Sequence, residues 1–396
     1  MTVIPINKVK KEYFNGTHRA EKPENTLKRI KPLMEETGVY EISDITSLDR
    51  LKIPVYSAIR PKAAWGGTRV HAGKGLTPAD AEVSVMMEAI ERFSAEYRGE
   101  GMELSSYEQL GLTKTLDPRD LILPREPEMG EQMHWFPAWD ILNECELYIP
   151  ANAVFHPYDP LGMAQQLFRS DTNGLASGNV MEEAVLHAMY EVIERDALSC
   201  AEKNRSLGKK LIIDTEGPLL NLLRMFEDNG IKIHLWYLNG KTGVHTIAAA
   251  ADDTVTKEPG LLVTGSGSHL NPEIAAFRAL TEVAQSRGSW IKGNRENENR
   301  KAILEKAGYE RLKKINRMWF TENGDEISIS EIPDRSTDYI DDDIKAVLNE
   351  LKEHTEHVFV CDLSKTEIPV VRVVIPGFEI SYVNPTRKKI QNKQMF

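Results

Sequence analysis

The chain has 396 residues, of which 41% are hydrophobic, and sets 49 Lys and Arg against 60 Asp and Glu for a formal charge of −11. This acidic balance argues against a broad phosphate-backbone footprint, so nucleic acid is not an expected partner. With no run of about 18 uncharged apolar residues and no apolar block after Met1, neither a membrane span nor a signal peptide is expected, and the protein reads as cytoplasmic.

Residues 1–55 open Lys-rich, carry a short helical pattern around Leu27–Met34 and then turn mixed and polar, which reads as an appended N-terminal segment. From Ile53 a unit repeats. Ile53–Ile59 and Thr68–His71 read as strands, and Pro78–Tyr97 as a long helix after a Gly-containing turn. Trp135–Ile141 and Leu147–Phe155 read as strands and Met181–Ala201 as a helix. His245–Ala251 and Gly260–Ser266 read as strands before a helix over Pro272–Trp290, which opens after Asn271, a good N-cap followed by Pro. Three strand-strand-helix units at a spacing of about 100 residues, too long for a solenoid, point to an α+β fold with an internal repeat. Leu219–Phe226 and Ile231–Leu238 add a short helix and a strand. A charged helical stretch ends near His354, and His357–Asp362 and Val370–Ile375 have the β-branched alternation of strands. No Gly-, Ser- or Pro-rich linker follows residue 55, so residues 56–385 are expected to form one domain, with a basic tail over 386–396. Cys145, Cys200 and Cys361 are odd in number and lack a Cys-x-x-Cys pair, which argues against a disulfide framework or a cysteine-built zinc site.

The three long helices also share chemistry. Glu88-Ala89-Ile90-Glu91-Arg92, Glu191-Val192-Ile193-Glu194-Arg195 and Glu282-Val283-Ala284-Gln285-Ser286-Arg287 each place two oxygen-bearing groups three residues apart, with Arg at once or one residue later. One such copy is ordinary surface pairing worth a few tenths of a kcal/mol; three copies on matching elements point to a shared site. In the first helix Val83, Met86, Ile90, Phe93 and Tyr97 form an apolar stripe opposite Ser84, Glu88 and Glu91, the pattern of either a solvated face or the wall of a polar cleft. Converging acids repel unless cations neutralise them, and oxygen ligands with retained waters suit Mg²⁺, which commonly bridges to nucleotide phosphates. Arg92, Arg195, Arg287, Lys74 in its Gly-Lys-Gly turn and Arg278 one turn before Glu282 would contact phosphate. Together these point to ATP, although Walker, dinucleotide and kinase signatures are missing.

These blocks resemble the YcaO family. Its Ser-x3-Glu-x2-Glu-Arg motif stands at Ser84, Glu88, Glu91 and Arg92; a second block is similar to Ser177-Gly178-Asn179 through Glu183, His187 and Glu191 to Ala197; a third resembles Arg278 to Glu282 with Gln285 and Arg287. Ala275 stands where some descriptions of the family have Ser. The resemblance, over roughly residues 55–380, implies a YcaO-type α+β fold around an ATP and Mg²⁺ cleft. Glu88, Glu91, Glu191 and Glu194 would hold more than one Mg²⁺ ion, and Lys74, Ser84, Arg92, Asn179, Glu183, Arg195, Arg278, Glu282, Gln285 and Arg287 would bind ATP. It further implies phosphorylation of a peptide amide oxygen after nucleophilic attack. A non-proline tail and likeness to methanogen members indicate external sulfide as nucleophile, giving a thioglycine in the α subunit of methyl-coenzyme M reductase. The rival readings are azoline formation in a peptide and a non-catalytic nucleotide-sensing scaffold for a sulfurtransferase. The expected partners are a protein client, a TfuA-like protein or sulfur donor, and a second copy of the chain. His187 is the candidate for orienting a carboxylate or for proton transfer, although a structural hydrogen bond is the favoured reading. Cys200 could be imagined as a sulfur carrier, but its neighbours do not force that role. The tail reads as solvated or as docking an acidic client.

Overall fold

The computed structural model describes residues 3–99, 101–293 and 298–387. Helix α1 (Pro23–Ile30) and strands β1 (Glu41–Asp44), β2 (Val55–Ile59) and β3 (Val70–Lys74) precede helix α2 (Pro78–Ala95). Then come β4 (Glu103–Ser105), the short α3 (Tyr107–Leu110), β5 (Met133–Asp140), β6 (Cys145–Pro150), β7 (Leu175–Ser177) and α4 (Met181–Asn204). The chain continues through β8 (Lys209–Ile212), α5 (Pro218–Asp228), β9 (Ile231–Tyr237), β10 (His245–Asp253), β11 (Thr264–His269) and α6 (Pro272–Lys292). It ends with α7 (Glu298–Ala307), α8 (Tyr309–Ile315), β12 (Glu326–Ser328), α9 (Ile340–Leu351), β13 (Phe359–Asp362) and β14 (Val370–Val374).

The strands form three sheets: β1-β2-β3; β11-β10-β9-β8-β12; and β4-β5-β13-β14-β7 with β6 on β5. One long helix belongs to each. α2 follows β3, α4 follows β7 and α6 follows β11. Asp80 and Thr77 close a reciprocal cap at the start of α2, and Asn271 caps α6 by accepting from the Ile274 N–H. Glycines let each helix lie directly on the strand before it. A Cβ at Gly73 would stand 2.2 Å from the Val85 nitrogen, at Gly178 2.4 Å from the Ala184 nitrogen, and at Gly265 2.3 Å from the Ala279 oxygen.

The repeat is therefore real but assembled differently at its second copy. β5 and β6 pair as expected, yet α4 lies against β7 and β14. The antiparallel partner of β7 is β14, from near the end of the described chain. Each motif helix buries its apolar side in its own cluster: Val85, Met86 and Ile90 in one; Val185, Met189 and Ile193 in another; Ile274, Leu280 and Val283 in a third. Three cores on the outside leave three polar faces turned to the centre.

The first 55 residues are woven into this body. β1 pairs with β2, so the boundary expected at residue 55 falls within one sheet. The Lys11 ammonium, itself buried, sits 2.6 Å from buried Asp343 of α9, and the Asn7 N–H donates to Glu182 of α4. Arg387, expected in a solvated tail, is buried: it donates to the Ile122 carbonyl at 2.7 Å, pairs with Asp171 and lies over the Phe168 ring. The rest of the tail lies outside the described residues. Among the described residues no helix is long and apolar enough to cross a membrane.

Candidate active site

The central faces of α2, α4 and α6 meet in a cleft of about 400 Å³. Ser84, Glu88, Glu91 and Arg92 reach it from α2, Glu183, His187, Glu191 and Arg195 from α4, and Arg278, Glu282 and Gln285 from α6; Lys74 enters from β3 and Asn179 from the turn before α4. Contacts across the cleft tie the units together. Lys74 Nζ stands 2.6 Å from Glu282, and Gln285 Nε2 donates to the Ala72 carbonyl at 3.0 Å, joining α6 to β3. The Ser177 N–H and hydroxyl donate to Glu91 at 2.9 and 2.7 Å, joining β7 to α2. Arg278 donates to His187 Nε2 at 2.8 Å, joining α6 to α4.

The acids are wetted but enclosed: the side chains of Glu88, Glu191 and Glu282 are 25%, 24% and 27% exposed. Burial drives the Glu88 carboxyl upward, but His71, Arg92 and the Ala72 N–H outweigh it and hold its pKa down at about 2. Glu191 goes the other way. Burial raises it to about 7, with Glu194 and Glu91 adding repulsion against the attraction of Arg195 and Arg92. Burial raises Glu91 as well. These two carboxyls are under-neutralised by the protein, the condition under which a divalent cation is welcome. Among the described residues no three cleft acids bring their ligand atoms within 4.8 Å of one another, so each ion would draw on few protein carboxylates and complete its shell with phosphate oxygens and water, as Mg²⁺ does. The tight group that does form, His18, His269 and Asp343, already surrounds an ammonium: Lys11 Nζ lies 2.6 Å from Asp343 and 3.1 Å from His18 Nδ1.

Two expected site residues stand elsewhere. Arg287 is fully buried on the far side of α6, 2.7 Å from Asp49 and 3.1 Å from Asp253, and is a structural ion pair instead of a phosphate contact. Glu194 is 3% exposed and turned toward β11, where it accepts from the Ser266 hydroxyl at 2.7 Å; among the described residues its link to the site is Arg195, 3.5 Å away. His187 is neutral: burial, then Arg278, Arg19 and Lys74, hold its pKa far below the usual value, and it accepts from Arg278. The Cys200 thiol is pushed up by burial and by Asp196 and does not line the cleft, which removes the basis for a sulfur carrier.

The N-terminal segment supplies a wall of the cleft that none of the three repeated motifs marks. Tyr13, Asn15, Thr17, Arg19 and Thr26 line the cleft. Arg19 lies 3.7 Å from Glu183, the Ala20 N–H donates to the same carboxylate at 2.8 Å, and the Thr26 hydroxyl donates to Asn179 at 2.7 Å. The available signal was the Asn15-Gly16-Thr17-His18-Arg19 run, whose Gly16 sits at φ +65° against Leu76. A wider depression of about 700 Å³, between residues 117–127 and 354–357, holds none of the motif residues.

The family described as YcaO cyclodehydratase, ATP- and Mg²⁺-binding, matches residues 72–379. An uncharacterized protein of Methanothermobacter thermautotrophicus is 45% identical over 93% of this chain and 97% of its own. The solved structure of YcaO from Methanopyrus kandleri bound with AMPPCP and Mg²⁺ superposes with a TM-score of 0.81 at 29% identity, covering 98% of this chain and 99% of that one. An uncharacterized protein in the tfuA 3′ region of Rhizobium leguminosarum is 30% identical over 70% of this chain and 69% of its own. The chain belongs to the YcaO family. It is an ATP- and Mg²⁺-dependent enzyme of peptide-backbone modification with the family's mixed α+β fold.

Proposed function

We propose that the cleft activates a peptide backbone amide by O-phosphorylation and that external sulfide is the nucleophile, giving a thioamide. The observation that carries this reading is the convergence of the three motif faces, with guanidinium and ammonium groups interleaved among under-neutralised carboxyls. Glu88, Glu91 and Glu191 would hold Mg²⁺, and Arg92, Arg195, Arg278 and Lys74 the phosphates. Bound ATP supplies a phosphoryl group that turns the amide oxygen into a leaving group. Sulfide adds to the carbonyl carbon, the oxygen takes the phosphoryl group, and phosphate departs as the C=S bond forms. The protein's share is positioning and charge: fixed cations around the developing negative charge, and a neutral His187 that holds Arg278 in place.

The choice of sulfide is supported by the likeness to two methanogen proteins. The proposed client is the α subunit of methyl-coenzyme M reductase, modified at a glycine. The Rhizobium relative, from a tfuA 3′ region, supports a TfuA-like protein as the proposed partner in sulfur delivery. A homodimer is the proposed assembly. Intact mass analysis of the client after incubation with the enzyme, Mg·ATP and sulfide tests the reading. A gain of about 16 Da is expected for oxygen replaced by sulfur, whereas a loss of about 18 Da marks the cyclodehydration after which the family is described.

A further inference from the structure

A third concave surface, of about 600 Å³, lies at the C-terminal end of α4 between Arg205 and the segment from α8 to Thr321. Its rim is cationic on a protein whose formal charge is −11. Arg205, Lys314 and Arg317 are exposed and, among the described residues, make no ion pair, while Lys313 is neutralised by Asp252 at 2.6 Å and Glu310 is the one acid of the lining. Its floor is apolar: Ile315 is 64% exposed, and Met318 and Phe320 are half-buried. That floor is rigid, because Trp319 is buried and its carbonyl accepts from the Trp236 indole at 3.2 Å.

Arg205 is the second, independent sign. It ends α4 at φ +51°, ψ +39°, the left-handed position that glycine occupies without cost. An arginine there costs about 1 kcal/mol or more. The helix dipole alone does not require it, since Lys203 already stands in the last turn.

We infer that this basic, apolar-floored groove docks an acidic segment of the protein client carrying apolar side chains. Charge complementarity sets the sign of the partner, and the exposed Ile315 with Met318 and Phe320 takes its apolar side chains. The bare phosphate backbone of RNA would leave that floor uncovered. The groove's relation to catalysis rests on the cleft being the site of peptide modification: Arg205 lies ten residues beyond Arg195 on α4, about 15 Å along the axis. An extended peptide needs at least about five residues to cover that distance, so the acidic segment lies no nearer than that to the modified amide.

The test separates docking from catalysis. Anisotropy of a fluorescein-labelled eight-residue peptide alternating Glu with Phe and Leu is followed on the full-length protein, with a Lys-for-Glu peptide and a ten-nucleotide oligouridine as comparisons. The Glu peptide is expected to bind and the Lys peptide not to. Lys314→Glu with Arg317→Glu should weaken the Glu peptide at least about tenfold, and Ile315→Ser a few-fold, while Glu88→Gln in the cleft has no effect and the ATP-induced melting shift stays in place in the groove variants. Raising salt from 50 to 300 mM should weaken binding through screening. Peptide binding unchanged in both groove variants, tighter binding of the RNA, or no binding at 1 mM peptide in low salt would each overturn the inference; none bears on whether the client gains sulfur. If the charge-reversed pair melts lower, Ile315→Ser and Lys314→Gln provide the same comparison.

Discussion

Arg278 Nη1 lies 2.8 Å from His187 Nε2, so a guanidinium on α6 is steered by an imidazole on α4 that cannot itself be charged. A protonated His187 would face Arg278, Arg19 and Lys74 at once, and burial removes the water that would soften their repulsion. His187 is thus a positioning residue for a phosphate-binding arginine.

His187→Gln keeps an acceptor for Arg278 and should hold kcat/KM within about fivefold. His187→Leu leaves the guanidinium unpaired and should cost about 10- to 100-fold. The pH profile between 5.5 and 8 should be the same for wild type and His187→Gln, because the imidazole stays neutral throughout. A kinetic pKa in that range that disappears in the Gln variant would make His187 a general acid or base.

Glu88 and Glu191 should respond oppositely in stability and alike in activity. The Glu88 pKa falls from the ordinary carboxyl value to about 2 on folding, so its contribution is present above pH 4.5 and lost as pH drops through 2. The Glu191 pKa rises to about 7, so its ionisation opposes folding increasingly between pH 4.5 and 7 and fully above 7. Without Mg²⁺ at pH 8, Glu88→Gln should destabilise the fold and Glu191→Gln stabilise it, by up to about 3 kcal/mol each, with melting temperatures that fall and rise accordingly. Both should abolish ATP-dependent phosphate release, which is measured alongside the melts.

Glu194→Gln should leave the half-saturating Mg²⁺ concentration for the ATP-induced melting shift within about twofold of wild type, whereas Glu88→Gln raises it more than about tenfold. Ser266 still finds an oxygen in the amide, and Arg195 loses one of its carboxylates. The KM for ATP should therefore rise a few-fold. A Mg²⁺ response as impaired as that of Glu88→Gln would restore Glu194 to the metal site.

Arg287→Ala should destabilise by about 3–5 kcal/mol by stranding buried Asp49, while Asp253 keeps Arg50 at 2.8 Å, with little change in KM for ATP in the folded fraction. Chemical denaturation and initial rates at a temperature where the variant is folded separate the two effects.

The sequence carried the strand-to-helix rhythm because each motif helix follows its own strand closely and shows a clear period. It did not carry the β7–β14 pairing, which joins segments nearly 200 residues apart, so hairpin logic assigned β5 and β6 to α4. The site was legible where spacing repeats. Arg92 and Arg195 stand four residues after Glu88 and Glu191, about 40° round the helix, on the same face. Arg287 stands five after Glu282, about 140° away, which already places it on the opposite face; the true counterpart is Arg278, four residues before. Glu194 shares its spacing with Glu91 and differs only in what faces it, Ser266 instead of the cleft, which no local pattern encodes.

The place of β14 between β13 and β7 sets a timetable for biosynthesis. β7 and α4 leave the ribosome long before their partner strand exists, and at about 5–20 residues per second the wait is roughly 10–40 s. Throughout it one edge of a three-residue strand is open to any neighbouring nascent chain, and α4 lacks the sheet on which it rests. A message truncated before residue 370 would thus yield a protein in which α2 and α6 are seated on complete hairpins while the α4 wall of the ATP cleft has no support, and such products belong to chaperones and proteases.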